Sequence, residues 1–186
     1  MGFEESLIRY AAPTLAGVKV ATLYNHRFQD LEDCRESIRK YNHQLNHKGI
    51  FIELMRHDKD FYLLYVYREK QLWNILNNKD IRLFLKEYGH FEFEEKNNAL
   101  CYINLLKERL EAGRGFPHEM GIFLGYPLAD VKEFIVRNGE DCALCGDWKV
   151  YHDVQSAKCF FCKLKKIREV YWKVYCDGRS LKDMIV

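Results

Sequence analysis

Strand and helix patterns of hydrophobic and polar residues mix along the first third of this chain, and helical spacing dominates the rest. Val18 to Tyr24 (VKVATLY) alternates and carries β-branched residues, which predicts a strand. From Asp30 to His47, apolar residues recur at Leu31, Cys34, Ile38, Tyr41 and Leu45. That spacing predicts a helix with Asp30 as N-cap and Gly49 as stop. Ile50 to Arg56 and Phe61 to Tyr67 read as two strands around the polar turn His57-Asp58-Lys59-Asp60, a hairpin. A short helix over Ser6 to Ala12, ended by Pro13, precedes them.

After Arg68 the period becomes helical. Lys70 to Leu76, Asp80 to Tyr88 and Glu94 to Ala112 fit helices, the last with a stripe of Ala99, Tyr102, Ile103, Leu106 and Leu110. Gly113-Arg114-Gly115 breaks the pattern. Pro117 to Leu124 and Leu128 to Arg137 fit two short helices, stopped by Asn138-Gly139. Trp148 to Tyr151 fits a short strand. Asp153 then caps a last helix to about Cys176, with a seam of Phe160, Leu164, Ile167, Tyr171 and Val174. The expected fold class is α+β: an N-terminal strand–helix–β-hairpin sheet, then a mostly helical C-terminal half with one short late strand. No linker interrupts it, so residues 1–186 are expected to form a single domain, with a sheet-forming part over 1–68 and a helical part over 69–186.

Composition narrows the function classes. With 48% hydrophobic and 15% aromatic residues in 186, the chain has ample material for a core. A net charge of +2 gives no whole-molecule pull toward nucleic acid. The start, MGFEESLIRYAAPTL, does not read as a secretory signal, and no stretch reaches the roughly 18 apolar residues of a membrane helix. The expectation is a cytoplasmic protein with no membrane partner, its seven cysteines reduced.

The segments APTLAGVKVATLY, YVYR, FPHEMGIFLGYPLADVKEFI and GDWKVYHDVQSAK resemble a bacterial family known only as domain of unknown function 3793. The resemblance spans nearly the whole chain. It implies one cytosolic domain, found mainly in anaerobic Gram-positive bacteria, and marks the FPHE…GYP stretch as characteristic. It implies no activity and no catalytic residues.

That stretch supports three readings. Gly121, Gly125, Val131 and Phe134 have the rhythm of a helix-turn-helix. The second helix, however, offers Lys132 and Arg137 against Asp130 and Glu133, too little charge to hold phosphates, so nucleic acid is disfavoured as a partner. Alternatively, Gly113 to Pro117 leads into a helix N-terminus that favours an anion, with Arg114, His118 and Glu119 as ligand-binding or acid–base groups and Tyr126 beside them. His118 and Glu119 are neighbours on a helix and diverge by about 100°. The third reading, which we favour, is that the two helices pack as framework, with Gly121 for close approach and Gly125 for the turn.

Cys142, Cys145, Cys159 and Cys162 form C-x2-C-x13-C-x2-C, a spacing that suits a tetrahedral zinc site. Against it, Asp153 as cap puts Cys159 nearly two turns into the helix, and both Cys159 and Cys162 fall off its apolar seam. A redox CxxC is disfavoured because no thioredoxin-like strand precedes Cys142. His43 and His47 share a helix face but lack the Glu of a metalloprotease pair. Residues 142–186 carry 9 basic and 5 acidic side chains, which we read as a solvated face. The sequence therefore leads to a non-catalytic ligand- or partner-binding accessory domain, with contact near Arg114–Tyr126. The alternatives are a small enzyme with an anion pocket at Arg114, His118 and Glu119, and a zinc-stabilised nucleic-acid-associated protein.

Overall fold

Three antiparallel strands form the centre: β1 (Ala21–His26), β2 (Ile50–Asp58) and β3 (Phe61–Arg68), in the order β1-β3-β2. The structure is a computed structural model and describes residues 1–59, 61–89, 99–112 and 115–186. Side chains alternate across a strand, and in β3 both sets are apolar. Tyr62, Leu64 and Val66 enter one core, whereas Tyr65 and Tyr67 enter another on the opposite face. A sheet covered on both sides explains why FYLLYVYR is a nearly continuous apolar run.

On the first face lie α1 (Phe3–Leu15) and α2 (Leu31–Leu45). The far end of α8 (Val154–Cys176) and all of α9 (Leu181–Met184) return to this face, through Tyr171, Trp172, Leu181 and Met184. The last helices therefore close the core that the first helix opens. Arg9 lies 3.8 Å over the Trp172 ring, and Arg68 donates to the carbonyls of Thr14 (2.7 Å) and Leu15 (2.6 Å) at the end of α1. Asn42 on α2 bonds both the carbonyl (2.9 Å) and the N–H (2.8 Å) of Ile52, which covers part of the outer edge of β2. A bulge at Met55 keeps that side chain in the second core.

On the second face lie α3 (Glu69–Leu76), α4 (Lys79–Glu87), α5 (Ala99–Glu111), α6 (Met120–Phe123) and α7 (Leu128–Val136). The Tyr65 hydroxyl donates to the Phe123 carbonyl at 2.6 Å, so the central strand fixes the end of α6. Beyond α7, β4 (Leu144–Cys145) and β5 (Lys149–Val150) make a two-stranded ribbon against the start of α8.

The α+β class and the order of elements stand as expected. Asp30 caps α2 by accepting from the N–H groups of Glu32 and Asp33, and Gly49 ends it at φ 73° after one 3₁₀ turn over Asn46–Lys48. Asp153 likewise caps α8, accepting from Ser156 N at 3.0 Å. Several boundaries differ. Pro13 lies inside α1, whose last turn continues to Leu15, because a proline near a C-terminus forfeits a single bond. β1 begins three residues later than the alternation suggests. Both strands of the hairpin run into the expected turn, with Asp58 paired to Phe61. The late strand has a partner in Leu144–Cys145, and α9 is additional. The expected helix over Pro117 to Leu124 is helical at Met120–Phe123 alone. The first residues of the helix expected from Glu94, namely 94–98, lie outside the described residues.

Gly121 is where α6 and α7 meet most closely. A Cβ there would lie 2.7 Å from Val131 Cγ2 and 3.4 Å from Tyr126 Cδ2. Propensity alone favours Ala over Gly in a helix by roughly 0.5–1 kcal/mol. The close contact reverses that sign: Gly121→Ala is expected to destabilise the fold by about 1–3 kcal/mol, as overpacking does. Chemical denaturation of Gly121→Ala alone and with Val131→Ala checks this, since shortening Val131 is expected to recover part of the loss.

Candidate functional site

The stretch Phe116 to Val131 forms one wall of a cleft of about 350 Å³, and the ribbon forms the other. From the first wall come Phe116, Pro117, His118, Met120, Gly121, Leu124, Tyr126, Asp130, Val131 and, just beyond, Phe134. From the second come Cys145, Gly146, Trp148 and Lys149. Rings dominate: Tyr126 stacks on Trp148 at 5.2 Å between centroids, and His118 leans on Phe134 at 5.4 Å.

Local chain geometry explains the placement. After α6 the chain reverses at Gly125, φ 77°, where a Cβ would meet Val20 Cβ at 3.3 Å. Tyr126 N then donates to Gly121 O at 2.9 Å, and Pro127 starts α7. Asp130 stands in the first turn of α7 and is buried. Its carboxylate accepts from Trp148 Nε1 (2.8 Å), Tyr151 N (2.9 Å) and His152 N (3.2 Å). Three donors on the second wall thus converge on one acid of the first. The Tyr126 hydroxyl adds a bond to the Asp147 carbonyl at 2.8 Å, while the Asp147 side chain pairs with Arg168 of α8. Phe161 of α8 sits over Gly146 so closely that a Cβ there would fall 2.1 Å from its ring. Trp148 also meets Phe161 edge-on at 4.6 Å.

The expected site residues divide. His118 is exposed and lines the cleft. Tyr126 is half-buried in its wall. Glu119 turns away from the cleft: it is fully buried, with Arg109 Nε 2.6 Å from its carboxylate. Of the two neighbours, His118 alone reaches the cleft. Arg114 lies outside the described residues. The helix expected to present its N-terminus at Pro117 begins at Met120 and has four residues, too few for an appreciable dipole. A second hollow of about 400 Å³, lined by Tyr88, Arg109, Ala112 and Gly115, shares Phe116, Pro117 and His118 with the cleft and also meets Glu119. On α7, Lys132 lies 5.9 Å over the Phe84 ring, and Arg137 is engaged by Glu133 at 2.6 Å.

The cysteines divide as well. Cys142 and Cys145 bring their sulfurs to 3.2 Å, and the hydrogen bond between them, with burial, raises the Cys142 thiol above its ordinary value. Cys159 and Cys162 are exposed on α8, about half a turn away from buried Ala157 and Leu164. Among the described residues, no group of three or more His, Cys, Asp or Glu is arranged to hold a metal ion. No described helix is long and apolar enough to cross a membrane.

Over residues 7–185 the chain matches a family described as "Protein of unknown function (DUF3793)". The chain belongs to that family. No curated protein and no solved structure matches it. Within this DUF3793 chain the cleft therefore rests on its own geometry.

Two residues central to the cleft carry no signal in sequence. Asp130 reads as an ordinary acidic residue in a first helical turn, and Trp148 as packing. Lys19, outside the cleft lining, is equally silent in sequence: it lies buried, its ammonium 5.3 Å over the Tyr126 ring. Burial lowers its pKa from 10.5 to about 8, opposed by the charge of Asp147 and assisted by that of Arg168. A folded-state pKa below the unfolded value means that the unfolded chain holds the proton more tightly. The cost is then complete below about pH 8 and is relieved as pH rises toward 10.5. Lys19→Met, which keeps the stem and removes the charge, is expected to stabilise the fold at neutral pH by about 1–3 kcal/mol. That gain should shrink between about pH 8 and 10, which urea melts of both proteins across that range would measure.

Proposed function

We propose that this chain is a non-catalytic binding domain whose cleft takes a small, flat, largely apolar molecule. One observation carries this: an open hollow of ligand size is walled by Phe116, Tyr126, Phe134 and Trp148, with few polar groups among them. Phe116 is 52% exposed, a large apolar ring left at the rim. Aromatic walls favour offset stacking with a planar ring. His118 and Lys149 supply the polar contacts that orient it.

Binding is favoured over chemistry because the acids are already occupied. Asp130 is committed to three N–H donors, and Glu119 to Arg109. A general base needs a carboxylate or imidazole within reach of a substrate proton, and the acid that shares the cleft with His118 is Asp130, already engaged. The setting we propose is the cytosol, where seven cysteines remain reduced.

A screen of planar aromatic fragments by two-dimensional NMR tests the reading. The Trp148 indole N–H is the reporter, assigned with Trp148→Phe. Binders are expected to move that signal together with the methyls of Leu124 and Val131. Phe116→Ala is expected to weaken them at least about fivefold, the loss of roughly one stacking contact. Fragments that leave these signals in place, or bind Phe116→Ala equally well, would sink it.

A further inference from the structure

Cys142 and Cys145 stand apart from the binding reading, and the geometry points to a dithiol site that exchanges with disulfides. Their sulfurs are 3.2 Å apart and need about 1 Å of closure to reach the disulfide bond length of about 2.05 Å.

The backbone around them is held. Ala143 N donates to Val150 O at 2.9 Å, and Gly146 N to Trp148 O at 3.1 Å. Asp141 turns the chain into the ribbon at φ 53°, and Phe161 closes over Gly146. The backbone carrying the two thiols is thus bonded on both sides of Cys145. Lys149 is the cross-strand partner of Cys145, and its charge partly offsets the hydrogen bond and burial that raise the Cys142 thiol. Cys145 is exposed and faces the cleft, whereas Cys142 is half-buried behind it.

Cys159 and Cys162 provide an internal contrast at the same sequence spacing. On a helix, Cβ atoms three residues apart are about 5–6 Å apart, beyond the roughly 3.5–4.5 Å a disulfide spans. Spacing is common to both pairs; only the ribbon pair has the geometry.

The reaction balances with a disulfide, RS–SR, as oxidant. The Cys145 thiolate attacks one sulfur, forming a mixed disulfide and releasing RS⁻. The Cys142 thiolate then attacks Cys145 Sγ, closing the Cys142–Cys145 bond and releasing the second RS⁻. The chain gives up two electrons and two protons, and RS–SR becomes two thiols. In a reducing compartment such a pair cycles, and it does not persist oxidised.

The test uses the folded, reduced full-length chain, equilibrated across ratios of reduced to oxidised glutathione, quenched by alkylation and mapped by mass spectrometry. The expected result is one internal disulfide joining Cys142 to Cys145, with the loss of two hydrogen masses, while Cys159 and Cys162 remain alkylated. Cys142→Ser should trap the mixed disulfide on Cys145. The inference is overturned if both thiols stay alkylatable at every ratio, if the bond forms only in denaturant, or if the purified chain holds zinc on this pair that blocks oxidation. Fragment binding in the cleft is read separately, so either idea can fail alone.

Discussion

A single buried carboxylate holds the two walls of the cleft together. Asp130 is enclosed, and an unpaired charge so placed would be costly by several kcal/mol. It is tolerable because an indole N–H and two backbone N–H groups donate to it. Those donors flank β5 of the ribbon, while the acid belongs to α7. The bond set therefore decides where the two cleft walls stand relative to each other. Stacking of Tyr126 on Trp148, and the seat of Phe161 over Gly146, fill the space that the carboxylate fixes. A cleft assembled this way is shaped in advance, which suits the binding proposed for it, since preorganisation lowers the ordering cost.

The sheet plays the corresponding part for the rest of the chain. β3 contributes to a core on each face, and its Tyr65 hydroxyl reaches across to the carbonyl of Phe123. α6 is thus pinned by the central strand, and α7 by the ribbon. Gly121 lets the two helices touch between these anchors. The terminal helices close the opposite core, so the first and last segments of the chain share one hydrophobic cluster.

Much of this fold was legible in the residues. Asp30 with Gly49, and Asp153, marked helix ends because side-chain caps and left-handed stops are local chemistry. The polar turn His57-Asp58-Lys59-Asp60 between two apolar runs marked the hairpin for the same reason. What escaped notice was short or distant. A two-residue strand such as Leu144–Cys145 has no period to read, and neither does a four-residue helix such as α9. Pro13 misled because its cost depends on how much helix follows it. At the site, the stretch from Phe116 was legible as a place, with His118 and Tyr126 on its cleft side. Asp130 was not, since its role depends on partners 18, 21 and 22 residues away. The two CxxC pairs look alike on paper. The ribbon joins the sulfurs of one, and α8 turns the other outward, a difference of backbone that spacing does not encode.

Hydrogen exchange of the Trp148 indole and of the Tyr151 and His152 amides, compared between the native chain and Asp130→Ala, measures most directly whether that carboxylate organises the cleft. Slow exchange at all three in the native chain is expected. In the variant that protection should fall by tenfold or more, about 1.4 kcal/mol, while β3 amides keep theirs. Equal protection in both proteins would contradict the account.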